Sequence, residues 1–564
     1  MQLTGKTDEL NQLLMLTLAN EWLVRALILC SLAAHLVLVL LAGIRRRRAI
    51  GVRTTLLWLS YQVAGWAATH SISNLMLGIS ASPEQQLHAF WMPFLLMHLA
   101  LPENISAYSL EDNVLSSRQV ARVPVQVAGA IFVLYKYVIV VHGDAGNLLP
   151  ASYLMFFLGI AKYVESVWAL WRGKLGNIRR SIKKMKIKDL SAAERLGHDF
   201  GNEQALLIAH GLLHISMGAF ADYSFGWNRM RRDAYTRERP FSRSCGWQDM
   251  CKVVEMELSL MYDVMYTKAA VAHTWPGYCI PVASPLFTAA ALLLFWSDRK
   301  DGQRTADVIS TYTLLLVTLV LDVGWLLGSL GSTWTCAFLK HRQHWLVQCS
   351  LGAWHGPIRS LGFVAATDPT SYRLWPGTIG QYNLLSETLG GTRDGTTMSI
   401  SSKLVKLVAT EDSSMEYQYG YSEGIAILPS AKDLLFREVW EKLKAAFPPR
   451  PQDDKGPESG GSSSRLPPPK AANLQDGQRR YYRELSESNL NFGAEFQEVV
   501  LRWHIATDVF LLCGPRSGTS SFRYSYVKAI VELSNYMMFL VAVRPRMLPG
   551  LYLRSMHDAT QEAL

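Results

Sequence analysis

The sequence predicts a mostly α-helical membrane protein built around a bundle of about seven transmembrane helices. Hydrophobic residues make up 49% of the 564-residue chain and charged residues only 18%, below the roughly 25% of charged residues typical of soluble proteins. The apolar residues are concentrated in the first third of the chain and around positions 280–330. There they form stretches close to the ~20 residues that a helix needs to cross a bilayer.

Seven stretches are candidates for these helices. In chain order they are Ala26–Ile44, Thr54–Ser73, Leu87–Leu101, Val123–Val141, Leu148–Leu170, Ile280–Trp296 and Ile309–Leu330. The third is short and contains Pro93, so by itself it also fits a re-entrant or interfacial segment. The first is expected to be a retained anchor, because acidic residues precede it instead of the basic start of a secretory signal.

The distribution of basic residues predicts the orientation of the bundle. Five arginines follow the first stretch, and eight basic residues follow the fifth. The positive-inside rule places both clusters in the cytoplasm, which requires an even number of crossings between them. Counting the third stretch gives four crossings. The N-terminus is then outside and the C-terminus cytoplasmic, in the plasma membrane or an endomembrane.

This topology divides the chain into seven parts. They are an outer N-terminal segment (1–25), five spans (26–171), a cytoplasmic helical loop (172–279), two further spans (280–330), a cytoplasmic region (331–447), a flexible linker rich in Pro, Gly and Ser (448–479), and a helical C-terminal module (480–564).

Four helices are predicted outside the spans from their apolar spacing. Asn202–Met217 and Trp247–Ala272 lie in the loop. Phe496–Cys513 and Tyr526–Val543 lie in the C-terminal module, where charged residues interrupt both. We therefore predict a cytoplasmic helical hairpin at the end of the chain and not an additional pair of spans.

Charge and cysteine content restrict the partners. The net charge is +10, which favours anionic lipid at the cytoplasmic face. No nucleic-acid-binding motif accompanies it, so nucleic acid is not an expected partner. The seven cysteines form no CxxC pair and are odd in number, which indicates free thiols in a reducing compartment. No cofactor is predicted.

Four charged residues fall inside predicted spans, namely Lys136, Lys162, Glu165 and Asp322. Such residues in a bilayer are paired or face the protein interior or water. Lys162 and Glu165 are three residues apart and share a helix face, so a structural ion pair between them is the favoured interpretation. Part of an ion or substrate path is the alternative. Lys136 and Asp322 can neutralise each other, or either can join the Lys162 and Glu165 group.

Two pairs of side chains have metal-ligand spacing. His210 and His214 are four residues apart on one predicted helix, and such a pair can bind zinc. No HExxH motif and no obvious fourth ligand accompany them, so a polar helix face is favoured over a metal site. His504 and Asp508 repeat the spacing, and we expect a hydrogen bond there. An acidic group that includes Glu103 predicts a helix cap or a basic partner, with a cation site as the alternative.

Six motifs, in the same order along the chain, resemble a family of plant membrane proteins. They are PENISAYSLEDN (Pro102–Asn113), GIAKYVES (Gly159–Ser166), VVEMELSLMYDVMYTKA (Val253–Ala269), GTIGQYN (Gly377–Asn383), WHIATD (Trp503–Asp508) and LSNYMMFLVAVRPRMLP (Leu533–Pro549). The family carries domain of unknown function 4220, followed by domain of unknown function 594. The chain departs from its pattern at Ser166, where the family tends to have Arg, and after Asn113.

The resemblance implies a multi-span plant membrane protein with a cytoplasmic C-terminal domain, and it implies no reaction. The motif positions that it marks are Leu110, Glu111, Asp112, Asn113, Tyr262, Asp263, Tyr266, Thr267, Lys268, Trp503, His504, Ala506, Thr507 and Asp508.

No catalytic residue is assigned, and a non-catalytic function is favoured. Two sizeable cytoplasmic parts joined by a flexible linker predict a membrane-anchored interaction or signalling platform with a cytoplasmic protein partner. The alternative is a transporter or channel that uses the four intramembrane charges. A membrane-embedded, metal-dependent enzyme is the third and least favoured possibility.

Overall fold

The computed structural model describes most of the chain. The described residues are 2–44, 52–77, 86–136, 146–184, 202–221, 246–298, 300, 303–330, 332–340, 373, 378–388, 425–446, 496–513 and 521–544. Nearly all of them are helical, so the predicted mostly α class is confirmed. The predicted linker 448–479 and the end of the fourth predicted span (137–141) lie outside the described residues.

The first half of the chain forms nine helices among the described residues. They are α1 (Gln2–Leu41, followed by the 3-10 turn Ala42–Ile44), α2 (Val52–Leu77), α3 (Gln86–Phe90), α4 (Met92–Leu99), α5 (Leu110–Val114), α6 (Ser116–Leu134), α7 (Leu148–Gly173), α8 (Leu175–Lys184) and α9 (Asn202–Phe220).

After α9, the described residues form nine further helices and two short strands. They are α10 (Trp247–Tyr266), α11 (Ala269–Ala272), α12 (Cys279–Ser297), α13 (Thr305–Leu330), α14 (Thr333–Lys340), β1 (Thr378–Ile379), α15 (Leu384–Thr388), β2 (Ile425–Ala426), α16 (Pro429–Ala446), α17 (Phe496–Cys513) and α18 (Ser521–Ala542). The strands pair antiparallel, with Thr378 opposite Ala426.

Four of the described helices are long and apolar enough to cross a membrane. They are the Glu21–Leu41 part of α1, then α7, α12 and α13. The first holds most of the first predicted span, and the other three contain the fifth, sixth and seventh. The second predicted span lies in α2, which is long but carries many Ser, Thr and other polar residues. The four apolar helices support the prediction of a membrane protein.

The third predicted span is two short helices, not one. Helices α3 and α4 meet at Trp91, and Pro93 lies in the first turn of α4, where proline needs no hydrogen-bond donor. Every residue from Gln86 to His98 is buried. Helix α4 packs against α1, α2, α6 and α7, so protein surrounds this segment.

The two ends of this segment lie near different levels of α13. His88 in α3 contacts Asp307 in the first turn of α13. Glu103, just beyond α4, contacts Lys162, which is bonded to Asp322. Asp307 and Asp322 are separated by about 22 Å of helix at 1.5 Å per residue.

A glycine allows α7 to approach α4 closely. A Cβ at Gly159 would lie 2.9 Å from the Pro93 carbonyl oxygen and 3.4 Å from Leu96 Cβ. Such a distance to backbone is too short for a side-chain carbon, so any larger residue would push the two helices apart. Gly159 thus fixes the central position of α4.

Helices α8, α9 and α10 form a second apolar core outside the bundle. Ile178 and Ile182 of α8 pack there with residues such as Leu212 and Leu260. The predicted single helix Trp247–Ala272 is wrong at its end. Thr267 has an extended backbone, and the chain resumes as the short helix α11.

The break in this helix has a hydrogen-bonding cause. The Ser106 backbone N–H donates to the Tyr266 carbonyl at 2.8 Å, and the Lys268 backbone N–H donates to the Glu103 carbonyl at 3.2 Å. The loop after α4 therefore uses backbone groups that a continuing helix would have satisfied internally.

The C-terminal helices form a separate packed group. Helices α17 and α18 pack against each other, and α16 packs against α18 and α10. The predicted helix Phe496–Cys513 is confirmed with its bounds, whereas the last helix begins at Ser521 instead of Tyr526.

Candidate functional site

A buried charge cluster joins three long helices. Lys162 Nζ of α7 donates to Asp322 Oδ1 of α13 at 2.5 Å and lies 3.5 Å from Glu103 Oε1. Thr288 of α12 donates its hydroxyl to Asp322 Oδ2 at 2.8 Å. Lys162, Asp322 and Thr288 are all buried, so the ion pair is shielded from solvent.

Glu165 does not form the predicted ion pair with Lys162. Its side chain is 3% exposed, and neither carboxylate oxygen has a hydrogen-bond partner among the described residues. The two residues share a face of α7, but the ammonium group of Lys162 is directed to Asp322 instead. Lys162 thus pairs with Asp322 on another helix and not with Glu165 on its own helix.

Lys268 completes the cluster from the loop side. It is fully buried, and its Nζ donates to the Leu101 carbonyl at 2.9 Å. Burial lowers the pKa of Lys268, while Glu103 and Glu165 act in the opposite direction. Burial raises the pKa of Glu103, but the charges of Lys162 and Lys268 outweigh it and hold this pKa below its usual value.

Two cavities meet at the cluster. The first has a volume of about 310 Å³ and is lined by Glu103, Lys162 and Asp322 together with His35 and Trp325. The second, of about 480 Å³, shares Glu103 and Trp325 with the first. Lys136, half-buried after α6, lines neither cavity. Of the four predicted intramembrane charges, Lys162 and Asp322 line the first cavity, whereas Glu165 and Lys136 line neither.

Sequence reasoning missed the histidines of the first cavity. His35 and His98 place their ring centroids 5.3 Å apart, and His98 Nδ1 lies 3.0 Å from the Ser31 hydroxyl. His35 Nδ1 and Trp325 Nε1 are buried without a hydrogen-bond partner among the described residues. Histidines inside two apolar stretches were the available signal, because such residues in a span mark polar sites.

A second buried ion pair lies near the start of α13, about 22 Å along the helix from Asp322, and was also missed. Arg25 of α1 donates from Nε and Nη2 to the two oxygens of Asp307 at 2.6 and 3.0 Å. His88 Nε2 lies 3.2 Å from the same carboxylate. Both charged residues fall just outside the apolar stretches used for the prediction, so their burial was not expected.

The family motif after α4 holds the loop in place. Asp112 accepts hydrogen bonds from the backbone N–H groups of Tyr108 and Ser109 at 2.8 and 3.0 Å, which is a helix cap. Asn113 donates its side-chain amide to the Met265 carbonyl at 2.9 Å. Leu110 packs on the core of α8 to α10, and the side chain of Glu111 lies outside the described residues.

The family motif at the end of α10 lines the second cavity. Asp263 accepts a hydrogen bond from Trp334 Nε1 at 3.0 Å and forms a buried ion pair with Arg373. Tyr262 and Thr267 also line this cavity. The ring of Tyr266 lies 4.9 Å from that of Tyr262. Arg373 thereby connects the region after α14 to α10.

His210 and His214 engage separate partners. The His210 ring packs edge-on against Trp334, with centroids 4.9 Å apart, and burial lowers its pKa to about 3. His214 Nδ1 lies 2.8 Å from the Gly211 carbonyl oxygen. In the part of the chain that the structure describes, no group of three or more His, Cys, Asp or Glu side chains is arranged for a metal ion.

Residues of the last three family motifs contact one another although they are far apart in the sequence. His504 Nε2 accepts the backbone N–H of Leu384 at 3.1 Å, and its Nδ1 lies 3.0 Å from the Ser534 hydroxyl. Asp508 accepts a hydrogen bond from the Asn383 amide at 2.7 Å. Burial lowers the pKa of His504, which keeps its ring neutral and able to accept from Leu384.

The other motif positions on α17 point differently. Trp503 is 69% exposed, and Ala506 is also exposed. Thr507 donates its hydroxyl to the Trp503 carbonyl at 2.8 Å. One face of α17 therefore binds the segment 380–388, while the other carries an uncovered aromatic ring.

Comparison with known proteins identifies one matching family. Residues 58–387 match the family described as "Domain of unknown function (DUF4220)". The matched region contains the charge cluster and ends in the segment that His504 holds. No curated protein and no solved structure matches the chain. Because the family match covers more than half of the chain, the protein belongs to the DUF4220 family.

Proposed function

We propose that the protein is a membrane-anchored interaction platform whose C-terminal helices bind a protein partner. The apolar face of α17 carries this proposal. Trp503 is 69% exposed and Phe510 74%, and their spacing of seven residues places both side chains on this face of the helix. Exposed apolar patches of this kind mark sites of protein or membrane contact, and two large aromatic rings are the residues that dominate protein interfaces.

The contacts of the C-terminal helices support an anchored position for this face. Lys432 of α16 forms an ion pair with Glu255 of α10. The backbone N–H of Tyr382 donates to the Asn535 carbonyl of α18 at 3.2 Å. Helix α17 is thus attached to the loop helices through α18 and α16, and no described residue covers Trp503 and Phe510 on its other face.

Photo-crosslinking tests this proposal. A photoreactive amino acid at position 503 in the full-length protein in its native membrane is expected to give a discrete protein adduct, which Phe510→Asp abolishes. The same amino acid at the exposed position Lys528 on α18 is the matched control. Adducts with lipid only, or the same adducts from positions 503 and 528, would contradict the proposal of an interaction platform.

We also infer the number of membrane crossings, the side of the C-terminus and the plant origin of the protein. Seven crossings with a cytoplasmic C-terminus are supported by the buried α3–α4 segment, whose ends lie near two positions of α13 that are about 22 Å apart along that helix. A plant origin and a C-terminal domain of unknown function 594 follow from the motif resemblance, and anionic lipid at the cytoplasmic face follows from the basic clusters. The plasma membrane and endomembranes remain the proposed locations.

Glycosylation tags test this topology. Tags inserted near Asp144 and Asp301 are expected to be modified in the secretory pathway, whereas a tag in the linker 448–479 is expected to stay unmodified. Any other pattern would contradict seven crossings.

A second function, movement of a solute or ion through the bundle, is favoured by one observation. Lys162, Asp322 and Glu103 converge on the first cavity, where buried polar groups of His35 and Trp325 have no partner among the described residues. Such arrangements inside a bundle mark substrate or ion paths. An enzyme that uses His210 and His214 is not proposed, because the two rings have separate partners.

Flux measurements in proteoliposomes test the second function. Wild-type protein is expected to support flux of a monovalent cation, and Asp322→Asn is expected to reduce it at least tenfold. Glu257→Gln, which changes a buried carboxyl group outside the bundle, is the control. Absence of flux under both proton and alkali-ion gradients would remove this function and leave the platform untouched.

A further inference from the structure

The buried charge cluster contains one more carboxylate than ammonium groups. The carboxylates are those of Glu103, Glu165 and Asp322, and the ammonium groups are those of Lys162 and Lys268. With every group ionised the cluster carries a net charge of −1. An uncompensated charge in a low-dielectric interior is strongly unfavourable, so one further positive charge is needed.

Glu165 is the place where this positive charge is missing. Asp322 is satisfied by Lys162 and Thr288, and Glu103 lies beside Lys162. Both oxygens of Glu165 lack a hydrogen-bond partner among the described residues, and its side chain is 3% exposed. This carboxylate is therefore shielded from water and satisfied by no hydrogen bond from the described part of the protein.

The surroundings of Glu165 define the class of ligand. The charged groups that act on it are Lys268 from the α10–α11 break, Glu103 from the loop after α4, and Lys162 on its own helix. Two ammonium groups nearby oppose a doubly charged ion. In the described residues no set of three metal-ligating side chains is present. A single charge restores neutrality, whereas a divalent ion would reverse the sign of the cluster.

We propose that Glu165 binds one monovalent cation, supplied as a proton or as an alkali-metal ion. Binding neutralises the cluster while the Lys162–Asp322 pair stays intact. Glu103 offers a route, since it lines both cavities and acts electrostatically on Glu165. The inference deepens the second proposed function and rests on it, because it names the charge that would pass through the bundle.

Ligand-dependent stability of the purified full-length protein in detergent tests the proposal. A ligand that binds only the folded state raises the unfolding temperature. For an alkali ion, sodium or potassium chloride is expected to raise the Tm by several degrees over choline chloride at equal ionic strength and neutral pH. Glu165→Gln, which removes the negative charge and keeps the shape, is expected to abolish this rise.

The proton is distinguished by infrared spectroscopy. A protonated carboxyl group gives a carbonyl band that an ionised one lacks. If the ligand is a proton, wild-type protein shows this band at neutral pH, Glu165→Gln loses it, and alkali ions leave the Tm unchanged. Glu257→Gln is the matched control, because it removes a different buried carboxyl group and must leave the Glu165 response in place.

The proposal is overturned if wild-type protein shows neither an alkali-dependent rise in Tm nor a protonated carboxyl band beyond the one that Glu257→Gln removes. This outcome needs no measurement on Glu165→Gln and therefore stands even if that variant does not fold. Cation binding without flux in proteoliposomes would remove the transport function alone.

Discussion

Lys162 and Asp322 are separated by 160 positions in the sequence, and their charged groups lie 2.5 Å apart in the buried interior. The pair joins α7, from the first group of helices, to α13, the last long helix of the bundle. Thr288 adds α12 to the same contact. One ion pair thus fixes how the last two long apolar helices dock on the earlier ones.

Removing one partner of this pair is expected to lower the free energy of unfolding more than removing both. Lys162→Met leaves Asp322 buried without its counter-charge and should lower the free energy of unfolding by about 3–5 kcal/mol. Lys162→Met combined with Asp322→Leu should recover part of this loss. Thermal unfolding in detergent measures both. Equal stability of the single and double variants would contradict a compensating ion pair.

Gly159 is expected to tolerate no side chain. Gly159→Ala places a methyl group 2.9 Å from the Pro93 carbonyl oxygen and should destabilise the protein by about 1–3 kcal/mol. Gly65→Ala in α2 is the control, since a Cβ there meets nothing within 4 Å, and alanine is the better helix former. Similar unfolding temperatures for the two variants would mean that α4 and α7 are not closely packed.

Glu257 is expected to make stability depend on pH. Burial raises its pKa to about 7, although the Ser216 hydroxyl acts to lower it. The folded state therefore holds a proton that the unfolded state releases near its ordinary pKa of 4.5. Stability should fall as pH rises from about 4.5 to about 7, by an amount on the order of 2–3 kcal/mol.

Glu257→Gln should remove this dependence. The variant is expected to be more stable than wild type at alkaline pH and similar to it below the unfolded-state pKa. Denaturation of both proteins across this pH range checks the expectation. A parallel decline in the two proteins would show that another group is responsible.

His504 is expected to hold the segment 380–388 on α17. His504→Ala removes the acceptor for the Leu384 backbone N–H and should cost about 1–3 kcal/mol of local stability. Hydrogen exchange at Leu384 should then accelerate at least tenfold. Thr507→Ala, on the same helix but bonded only within it, is the control. Unchanged exchange in His504→Ala would mean that other contacts hold the segment.

Hydropathy predicted the long apolar helices, but it left open the α3–α4 segment, which is surrounded by other helices. Four long apolar helices emerged at or near their predicted bounds. The segment with Pro93 was ambiguous because its length is short. The structure buries it among four other helices, so its environment was set by neighbours that the local sequence does not reveal.

The charge cluster was partly predictable. Lys162, Glu165 and Asp322 were identified because charged residues in apolar stretches are unusual. Their pairing depended on distance in space. Spacing along α7 favoured Glu165 as the partner, but a carboxylate on another helix lies at hydrogen-bond distance instead. Glu103 and Lys268 lie outside the spans, so composition alone gave no reason to include them.

The break in the helix at Thr267 also required tertiary information. Apolar spacing continues through Met265 toward Ala272, and no glycine or proline interrupts it. The backbone turns away because Ser106 and Glu103 supply alternative hydrogen bonds. A helix end without a local breaker is not visible in the pattern of a single sequence.

The hydrogen bonds at this break couple two distant parts of the molecule mechanically. Glu103 contacts Lys162 with its side chain and is fastened to Lys268 through its main chain. Tilting α10 would therefore move a residue that lines both cavities. A force applied to α10, for example by a bound protein, would thereby reach the interior of the bundle. No long-range rearrangement of the chain would be needed.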